Sequence, residues 1–162
     1  MPISYDARFV ILSILVAILA SYVALSLAGR VRSGSHAERL GWLTGGATVM
    51  GLGIWSMHFI GMLAFHLPVL IAYDMPLLVL SVIVAIAASL VALMVIGRSG
   101  ATLVAGGISM GAGIAGMHYI GMASMKVEAQ RGYSAPIVAV SVLIAMLASL
   151  GAFWLIANLR DE

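Results

Sequence analysis

Charged residues divide this chain into five long uncharged runs, 9–29, 40–73, 75–97, 99–125 and 132–159. A helix needs roughly 20 residues to cross the hydrocarbon core of a bilayer, and every run is long enough. Inside lipid there is no water to satisfy backbone amides, so such runs are expected to be helices rather than open strands. Of the 162 residues only 9% are charged and 63% are hydrophobic, whereas a soluble domain carries about 25% charged residues. That is too little charge to cover a water-facing surface.

The expected fold is therefore all-α and membrane-embedded, a bundle of about five transmembrane helices forming one domain over 1–162. The helices are placed near 7–28, 40–65, 76–97, 102–125 and 135–158. Short connections hold most of the charged residues, together with Gly, Pro and Ser: Gly29–Arg39, Leu67–Met75, Arg98–Ala101 and Lys126–Ala135. Ser26-Leu27-Ala28 looks like a signal-peptide cleavage site, but the run is long, its start is weakly charged, and it takes part in the repeat described next.

Lys and Arg concentrate on the cytoplasmic side of membrane proteins. With the N-terminus outside, the inner segments hold Arg30, Arg32, Arg39, Arg98 and Arg160, and the outer ones Arg8, Lys126 and Arg131. The expected orientation is N-terminus outside and C-terminus inside. With no cysteine in the chain, disulfides, thiolate catalysis and Cys-based metal sites are excluded. The net charge of +2 is scattered, so no basic cluster suggests nucleic acid. Intramembrane carboxylates, nucleophile dyads and phosphate loops are missing from the sequence, and an enzymatic role is not expected of this segment.

An internal repeat is the strongest pattern. Residues 50–62 read MGLGIWSMHFIGM and residues 110–122 read MGAGIAGMHYIGM, identical at nine of 13 positions at an offset of 60. The offset continues through Tyr73 and Tyr133, Pro76 and Pro136, Ser81 and Ser141, and Ala88-Ser89-Leu90 and Ala148-Ser149-Leu150. The first helix carries a similar Ala20-Ser21. Each unit is a plain apolar helix followed by a Gly- and Met-rich one. The units run over about 7–66 and 76–126, with a partial third at 135–158 that stops after its first helix. The chain is expected to end inside the repeat array.

Pro76 and Pro136 fall in the first turn of their helices, where a missing N–H costs little. Gly41 and Gly45 are four apart, as are Gly107 and Gly111. Small residues at that spacing allow close approach of membrane helices, so these four are assigned to packing.

The chemistry-bearing residues are Met57-His58 with Met62, and Met117-His118 with Met122. Residues four apart share a helix face, so each glycine-rich helix presents an imidazole and a thioether together. An imidazole buried in a membrane is costly without a partner, which makes it a functional candidate. Both glycine-rich helices run from inside to outside, with His58 and His118 a few residues before their outer ends. At 1.5 Å per residue both lie roughly 10 Å below the outer surface, at one depth. Thioether and imidazole together suit copper, Cu(I) above all. The same pair could serve a non-covalent haem. A metal-handling transporter is another alternative, although these repeats are parallel and show no midplane break. The plainer reading is a structural one, with methionines as packing and histidines as interhelical hydrogen-bond partners. His66 is a further candidate as an auxiliary or entry ligand, alongside Met62 and Met122.

Met57-His58-Phe59-Ile60 and Met117-His118-Tyr119-Ile120, each in a Gly-rich helix with a trailing Gly-Met, resemble the motif of the MHYT family of bacterial membrane sensor domains. The resemblance implies a multi-pass domain of the bacterial inner membrane, N-terminus outside, with about seven helices and three motif copies. It implies copper bound by Met57, His58, Met117 and His118 near the outer face, and sensing of oxygen, carbon monoxide or nitric oxide. The partners it implies are the lipid bilayer, a diatomic gas and a cytoplasmic signalling domain in the same or another chain; a homodimer is a further expectation. This sequence departs from the pattern at Phe59, at Ile60 and Ile120 in place of Thr, and in lacking a third copy.

Overall fold

The computed structural model describes residues 6–31, 35–64, 72–95, 101–126 and 134–158. His66 lies outside the described residues. Five helices follow in order: α1 (Ala7–Val31), α2 (His36–Leu63), α3 (Met75–Val95), α4 (Ala101–Ser124) and α5 (Ala135–Asn158). Two short strands, β1 (Ala72–Tyr73) and β2 (Met125–Lys126), pair antiparallel, Ala72 with Lys126 and Tyr73 with Met125. By length and composition α2, α3, α4 and α5 can each cross a membrane, and α1 contributes a shorter apolar stretch, Ala7–Val23. The protein is a multi-pass membrane protein.

The expected spans are met within a few residues except at the start of α2. That helix begins at His36 rather than residue 40. Ser35 donates both its N–H and its hydroxyl to the Glu38 carboxylate, at 2.7 and 2.8 Å. A side chain that satisfies the free N–H groups of a first turn can start a helix within a polar sequence. At the opposite end of the same connection α1 runs on to Val31, and the Arg30 guanidinium lies 5.2 Å from the centre of the Trp42 ring. The ribbon β1–β2 was not expected from the sequence.

Each helix packs antiparallel on its sequence neighbours. The glycine-rich α2 lies between α1 and α3, and α4 lies between α3 and α5. Contact is close because glycines face backbone or small side chains. A methyl built at Gly51 would stand 2.6 Å from Ile86 Cα, and one at Gly53 would collide with Ala20. The equivalent glycines of α4 meet the equivalent neighbours, Gly111 against Met146 and Gly113 against Ala88. Gly107 packs on Leu150 in the same way.

One packing assignment is corrected. Methyls added at Gly41 and Gly45 meet nothing within 4 Å. Both residues are exposed near the polar start of α2, so they mediate no helix contact among the described residues. Gly46 does, with Leu93 3.1 Å from its added methyl.

Candidate functional site

The two repeats bring their histidines together. His58 Nδ1 and His118 Nδ1 are 3.5 Å apart, and the rings meet edge to face with centroids 4.6 Å apart. The cause is local. α2 and α4 both pack antiparallel on α3, so they run in the same direction and their equivalent histidines can meet. A neutral imidazole has one N–H and one bare nitrogen, so one Nδ1–H can donate to the other ring. His58 Nε2 is buried and has no hydrogen-bond partner among the described residues. The pair therefore keeps donor capacity that the surrounding protein leaves unused.

Gly121 opens the space this arrangement occupies. A methyl there would come within 3.3 Å of the Phe59 ring and 3.7 Å of His58 Nε2. Aromatic rings line the same end of the bundle: His58 on Phe59, Phe59 on Trp55 and Tyr73, and His118 on Tyr119.

The motif methionines separate. Met117 is buried in the core, only 1% exposed. Met57 lines an apolar cavity of about 490 Å³ together with Met50 and Met110. Met62 and Met122 sit half-buried one turn beyond each histidine. Among the described residues no group of three His, Cys, Asp or Glu side chains converges. Within that set the remaining soft donors are thioethers.

Two contacts that the sequence did not announce fasten the site to its neighbours. Trp55 Nε1 donates to Ser81 Oγ at 3.0 Å, joining α2 to α3. The Tyr119 hydroxyl pairs with Ser141 Oγ, joining α4 to α5. Ser81 and Ser141 are equivalent in the repeat, and each hydroxyl also donates to the carbonyl three residues earlier. Their correspondence at offset 60 was the available signal. Their partners, Trp55 and Tyr119, are not equivalent, which hid the role. Tyr119 thus reaches across to α5.

At the same end, the ribbon draws α3 and α4 together. Asp74 N–H donates to Ser124 O at 2.7 Å, and Lys126 Nζ lies 3.0 Å from the Asp74 carboxylate. The hydrogen bond from Lys126, helped by the Leu77 N–H, holds the Asp74 carboxyl below the usual carboxylate range.

Comparison with known proteins matches this architecture to one family. The MHYT family, described as a bacterial signalling protein N-terminal repeat, matches residues 1–41, 51–107 and 111–162. The chain is 46% identical over 160 residues to MucR of Pseudomonas aeruginosa, a bifunctional diguanylate cyclase/cyclic di-GMP phosphodiesterase, covering 97% of this chain and 23% of that protein. It is 40% identical over 163 residues to the cyclic di-GMP phosphodiesterase NbdA of the same organism, covering 98% of this chain and 21% of NbdA. With the signalling protein YkoW of Bacillus subtilis the identity is 37% over 150 residues, 91% of this chain and 19% of YkoW. The chain thus spans about a fifth of the length of these relatives. No solved structure matches it. The paired, histidine-bearing helices and the family match agree, and the chain belongs to the MHYT family of bacterial signalling proteins.

Proposed function

We propose that this chain is the membrane sensory part of a bacterial signalling protein, and that His58 and His118 together hold a copper ion through which a diatomic gas is sensed. The observation that carries this reading is the 3.5 Å approach of the two Nδ1 atoms. Imidazole nitrogens bind such first-row ions at about 2.0–2.1 Å, so two of them on one ion at a near-tetrahedral angle stand roughly 3.4 Å apart. The rings already have that spacing. The unpartnered Nε2 of His58 adds a second nitrogen that a ligand could satisfy. Met57 and Met117 are the proposed thioether donors, although in this structure Met57 lines the apolar cavity and Met117 packs in the core, with Met62 and Met122, one turn beyond each histidine, as auxiliary ones; thioether with imidazole favours copper over harder ions.

When bound, copper supplies a soft centre able to take oxygen, carbon monoxide or nitric oxide. The rest falls to the chain's own residues. The histidines fix the position, while Phe59 and Gly121 keep the space between α2 and α4 narrow. Ser81 and Ser141 tie each histidine-bearing helix to the next plain helix. A change in the separation of the rings is then passed to α3 and α5. Such a shift requires the ligand to interact differently with two packings.

The relatives named for cyclic di-GMP synthesis and hydrolysis suggest the output, a cytoplasmic domain of that kind in the same or another chain. The proposed setting is the bacterial inner membrane, N-terminus outside. A haem held between the two histidines is less well supported, because a macrocycle cannot pass between rings with centroids 4.6 Å apart.

The test is copper titration of purified protein, followed by electron paramagnetic resonance, on wild type and on the double variant His58→Ala with His118→Ala. Stoichiometric binding is expected in the wild type and loss in the variant. Unchanged binding in the variant would end the proposal.

A further inference from the structure

Phe59 stands between the histidine pair and a second cavity. Its ring meets that of His58 edge to face, with centroids 5.5 Å apart, and a methyl at Gly121 would press on it at 3.3 Å. The same ring walls a cavity of about 360 Å³ between α2 and α3, together with Trp55, Leu63, Tyr73 and Leu78. The counterpart of Phe59 in the repeat is Tyr119, whose hydroxyl is paired with Ser141 of α5. Phe59 has no hydroxyl, so packing alone holds its ring in place. The cavity beside it is larger than a phenyl ring.

The ribbon borders this cavity. Tyr73 of β1 forms part of the wall, with its ring centroid 6.2 Å from that of Phe59. Tyr73 is placed by its pairing with Met125 of β2, which is buried. The adjoining Asp74 donates its N–H to Ser124 O and holds Lys126 Nζ at its carboxylate. Little keeps the ribbon shut. It consists of two residue pairs, and the lysine of its ion pair is 65% exposed. Two-stranded pairings are marginal on their own, and exposed ion pairs contribute little.

We propose that Phe59 is a gate to the histidine pair and that the β1–β2 ribbon is its latch. With the ribbon paired, Tyr73 keeps the Phe59 ring turned toward Gly121, and His58 Nε2 is sealed within the protein. With the ribbon parted, Tyr73 withdraws and the Phe59 ring turns to another staggered rotamer, into the cavity between α2 and α3. The histidines then open to small solutes from the ribbon end. Two discrete placements of one ring make this a switch rather than a graded deformation. Its regulatory meaning rests on the reading of this pair as the ligand site, but the gate is tested without copper, so either reading can fail alone.

Ala72 and Lys126 are directly opposite in the ribbon. Such partners have Cα atoms about 4.5–5.5 Å apart, within disulfide reach. Both side chains are exposed, and the chain has no native cysteine. Ala72→Cys combined with Lys126→Cys therefore locks the ribbon when oxidised and frees it, without its lysine, when reduced. In lipid nanodiscs at about pH 6, where lysine amines are protonated and do not compete, carbethoxylation of His58 by diethyl pyrocarbonate is followed by peptide mass spectrometry. A minor open form is populated at about 0.1–10%, so freeing the latch is expected to raise the rate roughly ten-fold over the oxidised protein. Adding Phe59→Ala to the pair is expected to give the fast rate in both states, because the latch then has no ring to hold. Equal rates for oxidised and reduced protein with Phe59 present would overturn the proposal. So would a rate in the Phe59→Ala protein that still follows oxidation, because the ribbon itself would then be the barrier. Should Phe59→Ala not fold, Gly121→Ala takes its place. Its methyl displaces the ring, so the fast rate is again expected in both states, and a rate as slow as that of the locked protein would refute the gate.

Discussion

An imidazole inside a membrane must find a partner, and here each histidine finds the other. That pairing was legible from the sequence, because two equivalent positions on parallel helices share a depth. The methionines were not separable in the same way. Met57 and Met117 hold one motif position, but Met117 is buried in the core and Met57 faces the cavity beside α5. Which helix stands opposite a residue is a property of the assembled bundle, and the motif does not encode it. The serine contacts were also hidden, since Ser81 and Ser141 accept different aromatic donors. Trp55→Phe removes the donor to Ser81 while keeping a ring in place. Interhelical hydrogen bonds in membranes are worth about 0.6 kcal/mol on average, so the variant is expected to lose about that much stability in detergent unfolding. A loss much larger than this would show that the indole packs as well as bonds.

At the scale of elements, glycine position decides how closely helices approach. Spacing of four identified candidates, but the helix face that a pair presents depends on where its neighbour lies. Gly41 and Gly45 satisfy the spacing, but methyls added there meet nothing within 4 Å among the described residues, whereas Gly51 and Gly53, two apart, bear on α3 and α1. Gly51→Ala and Gly111→Ala are each expected to destabilise by about 1–3 kcal/mol, the cost of overpacking a tight contact. Gly41→Ala is expected to be neutral or to stabilise by up to about 1 kcal/mol through helix propensity. Unfolding titrations of the three variants check the contrast, and equal effects would contradict the packing. The start of α2 was misjudged for a related reason. Uncharged runs mark where lipid is crossed, while the Ser35–Glu38 cap determines where the helix begins.

Across the whole molecule, the repeat sets the order of helices and the ribbon β1–β2 ties one end of α3 to α4. Asp74 contributes to this tie through Lys126. Its carboxyl is held below the ordinary range, so the stabilisation is present above the unfolded carboxylate pKa and is lost as pH falls through the depressed folded one. With the Lys126 side chain 65% exposed, the effect is expected to be small and screened by salt. Asp74→Asn should flatten the acid limb of the stability–pH curve, measured at low salt; an unaltered limb would assign the tie to the backbone pairing alone. The histidine pair lies between α2 and α4, and the Trp55–Ser81 and Tyr119–Ser141 contacts join those helices to α3 and α5. X-ray absorption of copper-loaded protein tests that centre most directly. Two imidazole nitrogens per copper are expected in the wild type, with one lost in His118→Ala. A single nitrogen in both, or a signal indifferent to the substitution, would contradict a site shared between the two repeats.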